Sequence, residues 1–151
     1  MMAYELTQTD CDTLTAELQA MLDLSEAAVA ILCDRGGSVL IKEGAGFDDE
    51  QELLAALVAG SYAATRELAG VVGERDFDSI VHQGKGKGLL MHAIGSDVVL
   101  FVVFNHEASP GLVKMYADRA SRNLEAMFDE ISQRVAVVAR DVTATFQTHK
   151  L

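Results

Sequence analysis

The residues best equipped for chemistry are a glycine-lysine run, Gly84-Lys85-Gly86-Lys87-Gly88, the histidines His82, His92 and His106, the cysteines Cys11 and Cys33, and Ser61 between Gly60 and Tyr62. Glycine-rich backbone beside lysine can cradle phosphate, but a phosphate loop opens a helix and ends in Gly-Lys-Ser/Thr, whereas Gly88 follows Lys87 here. The run reads instead as a flexible hairpin tip whose lysines could touch an acidic partner. The histidines and cysteines include metal-ligand types but lack metal-ligand spacing; only His82 and His92, on strands expected to be antiparallel neighbours, could approach each other. His82, near a sheet edge, is expected to form a hydrogen bond, and no metal or cofactor is expected. Ser61 lies in a helical pattern and lacks the strand-turn-helix setting of a nucleophile elbow. Asp48, Asp49, Glu50 and Glu52 suit a helix start better than paired acid-base work. Arg66 and Arg75 could in principle reach a partner's nucleotide site as arginine fingers, or could simply be surface charge at a helix end. No self-contained active site follows from these residues.

The chain that carries them has 151 residues and a formal net charge of -11, from 12 Lys and Arg against 23 Asp and Glu. Half of it is hydrophobic, enough to bury the core of one domain without disulfides or structural metals. The acidic balance repels phosphate backbones and anionic lipid, so neither nucleic acid nor a membrane surface is an expected partner. Two cysteines without a paired framework point to a reducing compartment, with the cytoplasm as default. The longest strongly apolar run, 98–104, is far shorter than the roughly 20 residues of a membrane helix. The first residues lack the basic-then-apolar order of a signal peptide.

The elements that must position these residues are legible in the spacing. Leu14, Leu18, Met21 and Leu22 predict a first helix over about 9–23, started by a Thr7/Asp10 capping box. Runs at 27–33 and 38–42, joined by Asp34-Arg35-Gly36-Gly37, predict a hairpin. A second helix is expected from Asp48 or Asp49 to Val72, stopped by Gly73. Strands at about 78–83, 89–94 and 98–104 follow through connections short enough to require an antiparallel meander. Ser109-Pro110 then opens a third helix expected to run to about Arg140, leaving a domain over 1–140 and a tail over 141–151.

The two runs that are apolar almost throughout, 27–33 and 98–104, belong at the centre of a five-stranded antiparallel sheet of order 2-1-5-4-3. Helices 1 and 3 can cover one face of this α/β sandwich and helix 2 the other, but one helix is too narrow for five strands. A second copy of helix 2 from a partner subunit would complete the layer. Helix 2 carries large residues at Leu53, Leu54, Leu57, Val58, Leu68 and Val72, and small ones at Ala56, Ala59, Gly60, Ala63 and Ala64. Gly60 is costly inside a helix, which suggests that another backbone comes close there. The alternative is ordinary tight core packing by alanines.

In this order and at these distances, several segments together resemble the roadblock/dynein light-chain family, and within it the MglB-type regulators of bacterial Ras-like GTPases. They are Leu57-Val58-Ala59-Gly60-Ser61-Tyr62-Ala63-Ala64-Thr65 with Leu68-Ala69 and Gly73-Glu74, His82-Gln83-Gly84 with Gly88-Leu89, and Phe104-Asn105 before Gly111-Leu112-Val113-Lys114 and Arg119-Ala120-Ser121. The resemblance implies a profilin-like fold that forms a homodimer by pairing the third strand across a two-fold axis, with the second helices side by side. It also implies a docking platform for a small MglA-type GTPase, whose hydrolysis such regulators promote by remodelling the switch region without donating an arginine. The partner and dimer residues implied are Ala56, Ala59, Gly60, Ala63, Ala64 and Glu67 on helix 2, and Ile80 and His82 on strand 3. A dimeric scaffold that binds without stimulating hydrolysis is the second reading. A small-molecule sensor on the same fold is the third.

Overall fold

The computed structural model describes residues 5–75 and 78–149. Its elements run α1 (Gln8–Ser25), β1 (Val29–Asp34), β2 (Val39–Gly44), α2 (Gln51–Val71), β3 (Ser79–Gln83), β4 (Lys87–Ile94), β5 (Val98–Asn105) and α3 (Pro110–His149). The sheet is antiparallel throughout, in the expected order β2-β1-β5-β4-β3. β1 is buried at every position and β5 at every position but its last, because both of their faces are covered. Their alternate residues separate two cores. Ala30, Leu32, Leu100, Val102 and Phe104 join Leu14, Leu18, Val113 and Leu124 under α1 and α3. Val29, Ile31, Cys33, Val99, Phe101 and Val103 join Ala55, Val58 and Tyr62 under α2.

The α1 capping box forms: the Asp10 N–H donates to the Thr7 hydroxyl at 3.1 Å, and the Thr7 N–H donates to the Asp10 carboxylate at 2.9 Å. The same carboxylate takes both guanidinium nitrogens of Arg134, tying the start of α1 to α3. Arg134, and after it the Thr7 N–H, hold the Asp10 carboxyl below its ordinary value of 3.8. A carboxyl with a depressed folded pKa contributes stability above its unfolded value and loses it as the pH falls through the folded one. Arg134→Ala should therefore cost about 1 kcal/mol or less near neutrality. The difference from the parent chain should shrink in thermal melts as the pH drops below about 4.

The β3–β4 tip is more constrained than its glycines suggest. Gly88 pairs with Phe104 across β4 and β5, and a Cβ on Gly88 would lie 2.1 Å from the Phe104 ring. That glycine makes room for a core aromatic. β4 accordingly begins at Lys87, and the Lys87 ammonium donates to the Asn105 side chain at 2.8 Å.

Strand and α1 boundaries shift by one or two residues from the sequence reading, and two helix boundaries call for a physical reason. α2 starts at Gln51, because Gly44, Gly46 and Phe47 all take left-handed backbone; Asp48 instead accepts from Lys42 at 2.7 Å, and only Glu52 remains in the first turn. α3 continues past Arg140 to His149, where a tail was expected, while residues 150 and 151 lie outside the described residues. No glycine or proline follows Gly111 in the sequence. Val142, Thr143 and Thr145 lower helix propensity by only a few tenths of a kcal/mol each, about 0.7 at most, which does not stop a helix.

Candidate functional site

α2 decides what this molecule can present. Its inward row is Ala55, Val58, Tyr62 and Ala69, at steps of three, four and seven residues that keep one helical face. Tyr62 is the one large side chain of that row and is 2% exposed. The guanidinium of Arg35, from the β1–β2 turn, lies over its ring at 5.0 Å from the centroid, with Arg35 Nε buried and lacking a hydrogen-bond partner among the described residues. The turn itself is set by Asp34, whose carboxylate accepts the N–H groups of Gly36 and Ser38 at 3.0 Å each.

The outward row runs Leu53, Leu57, Gly60, Ala64, Leu68 and Val71, again at three- and four-residue steps. Leu53, Leu57 and Leu68 are each 61% exposed and Val71 84%. Sequence reasoning missed this row, because it set large residues against small ones. In the molecule, large Leu53 and Leu57 share a face with small Gly60 and Ala64, whereas Val58 points inward. The periodic signal was available: Ala55, Val58, Tyr62 and Ala69 keep helical phase with each other, and Leu53 and Leu57 do not keep it with them.

The expected site residues fall into three settings. Ala56, Ala59, Ala63 and Glu67 form a flanking row; Ala59 is half-buried and the other three are exposed. A Cβ on Gly37 would sit 3.0 Å from the Ala56 Cα, so the hairpin turn accounts for a small residue at this point. Gly60 and Ala64 belong to the outward row, and among the described residues nothing comes within 4 Å of where a Cβ on Gly60 would sit. Ile80 is half-buried against the α2-side core and His82 is exposed.

β3 is one of two sheet edges, and the two are built differently. Along β2 an extra residue, Leu40, interrupts the register with β1, and Lys42 is ion-paired to Asp48; bulges and charged side chains are devices that blunt an edge. The β3–β4 register runs unbroken from Ser79↔His92 to Gln83↔Gly88. α2 packs chiefly on β1, β2 and β5, so the β4–β3 half of that face is covered only in part: Met91 is buried and Ile80 half-buried at its inner side, while Leu89 is 38% exposed.

His82 and His92 do not meet. His82 pairs with Leu89 and so shares its face, while His92 lies on the opposite face, 3.1 Å from Asp118 of α3. Among the described residues no group of three His, Cys, Asp or Glu side chains could hold a metal ion. Burial, and after it the Asp34 charge, pushes the Cys33 thiol up to about 12. A thiol so raised is un-ionised and unreactive at neutral pH. Arg66 lies within α2 and Arg75 just beyond it, both exposed. A groove of about 470 Å³ between α1 and β2, lined by Gln19, Asp23, Ala28, Glu43 and Gly44, sits at the opposite sheet edge from β3. Among the described residues no helix is long and apolar enough to cross a membrane.

Residues 14–104 match the Roadblock/LC7 domain family. The chain belongs to the roadblock/LC7 family. Among solved structures, the gliding protein MglB from Thermus thermophilus is 34% identical, with 86% of this chain and 98% of that one covered at a TM-score of 0.81. A second structure, described as MglB with tetrameric arrangement, is 32% identical, covering 87% of this chain and 98% of that one, also at 0.81. Schizosaccharomyces pombe profilin, 17% identical over 74% of this chain and 95% of that one, shares the fold at a TM-score of 0.57. No curated protein sequence matches. The roadblock chain is thus of the MglB type, with a profilin-like fold, and its family makes it a roadblock-type regulator.

Proposed function

We propose that this roadblock protein is a homodimeric regulator that docks a small Ras-like, MglA-type GTPase on α2 and promotes its hydrolysis of GTP without an active site of its own. The observation that carries the reading is the open apolar row of α2 beside a half-covered sheet. Leu53, Leu57, Leu68 and Val71 are left in water by a chain that seats the helix on Ala55, Val58, Tyr62 and Ala69, with Leu54 half-buried beside them. A second protomer, added through the unblunted β3 edge, would bring another α2 toward the partly covered β4–β3 half. The likeness to MglB proteins supports a GTPase as the ligand of the platform the two helices make. Light scattering at micromolar concentration should give about twice the 16.2 kDa chain mass; a strictly monomeric species would defeat the dimer.

Stimulation by remodelling predicts that Arg66→Ala and Arg75→Ala change the saturated hydrolysis rate only modestly. A donated finger is worth roughly a thousandfold to a hundred-thousandfold. Single-turnover hydrolysis by the MglA-type GTPase at saturating regulator removes the affinity term. Collapse of the rate with binding preserved would show that the chain supplies the arginine; binding with no stimulation would make it a scaffold.

A further inference from the structure

We infer that the β3 edge selects a second copy of this chain by charge, through a self-complementary pair of flanks; this rests on the β3-to-β3 dimer proposed above. Before β3, residues 74–78 carry Glu74, Asp76 and Asp78 against Arg75, and after it residues 84–88 carry Lys85 and Lys87 with no acid. Asp78 and Lys85 are both exposed at the two ends of the strand. The Asp78 carbonyl accepts the Ala93 N–H at 3.1 Å, so the ladder holds this residue in line with β3. At the other end the Gly84 N–H donates to the Lys87 carbonyl at 2.8 Å and the His106 N–H to the Gly86 carbonyl at 3.0 Å, fixing the tip that carries Lys85.

A two-fold axis normal to the sheet reverses the strand, so the partner's β3 runs antiparallel. Any register that keeps the five residues of β3 paired then sets the acidic start of one strand beside the basic end of the other, at both ends of the junction. Parallel addition would set like charge on like. In a chain of net charge -11, two copies repel each other overall, and Lys85 supplies attraction where the edges meet. Cross-strand opposite charges attract and like ones repel, which makes the pattern a filter against strands with other flanks as well as an attraction.

The test uses the full chain in sedimentation velocity. Lys85→Glu places two acids at each junction and Asp78→Lys two lysines, so each variant alone should dimerise roughly tenfold more weakly than the parent, from exposed pairs acting twice. Mixing the two should restore parental affinity as a one-to-one heterodimer, seen by native mass spectrometry, because both junctions of the mixed pair regain opposite charges. Salt screens the overall repulsion of every dimer but the junction attraction only of the parent, so raising the salt should narrow the gap in affinity between the parent and each variant. Circular dichroism of both variants should match the parent, as both positions are exposed. Variants that dimerise like the parent, or a mixture no tighter than its components, overturn the inference while the dimer stands. A parent that is monomeric at every concentration overturns the dimer, and the inference with it.

Discussion

Replacing Tyr62 with alanine is expected to destabilise the protein by about 3–5 kcal/mol, the range for deleting a large buried aromatic. For a chain of this size that lowers the melting temperature by roughly 10 °C or more. The expectation follows from how thinly α2 is seated. Two of its four buried residues are alanines and a third is Val58, with Leu54 half-buried beside them, so Tyr62 is the largest side chain by which the helix holds the sheet. Truncation would also leave Arg35 over a void, adding the loss of the ring beneath its guanidinium to a buried Nε that already lacks a partner among the described residues. Leu57→Ala is the contrast. Leu57 is longer-reaching than any inward residue but Tyr62, yet it is 61% exposed, so its loss should cost less than about 0.5 kcal/mol in a monomer. Calorimetry at low protein concentration compares the two, and a Tyr62→Ala melting point within about 2 °C of the parent would show that α2 is held by something other than its buried row.

The same contrast explains what could and could not be read from the residues alone. The sheet order was legible because 27–33 and 98–104 are apolar on both faces, which only central strands can satisfy, and because short glycine connections force a meander. The partly covered half-face was legible from arithmetic, one helix against five strands. The facing of α2 was not, because its large residues lie on the open side and its inward row is mostly small. A reading in which size signals burial inverts such a helix, and does so wherever a partner is meant to finish the core. Gly88 was read as flexibility and is instead a space requirement of Phe104, which lies at the far end of the next strand, so no local pattern could reveal it. The end of α3 was misplaced for another reason. Among the residues whose side chains are described, the last buried one is Ile131, while the backbone, meeting no glycine or proline, continues to His149.

Ala63→Arg is expected to abolish docking of the GTPase while leaving the fold intact. Ala63 is exposed on α2, one turn before Glu67 and beside Gly60, whose position meets no neighbour within 4 Å among the described residues. A long cation there can extend into solvent in the free protein, so the circular dichroism spectrum should not change. Gly60→Ala is the companion: with open space around it, the substitution should gain about 0.5–1 kcal/mol of helix stability. A glycine that the isolated chain would be better without makes sense only if something outside the chain approaches it. Against a close-packed partner, the arginine must be accommodated where an alanine methyl fitted, and a loss on the scale of an interface hot spot, about 2 kcal/mol or more, is roughly thirtyfold or more in affinity. Titration of the GTP-loaded MglA-type GTPase, with the mass of the regulator followed by light scattering, separates the outcomes. Lost binding with an unchanged dimer places Ala63 on the GTPase surface. A dimer that falls apart places it between subunits instead. Binding that persists in the folded, dimeric variant would move the GTPase off this face of α2.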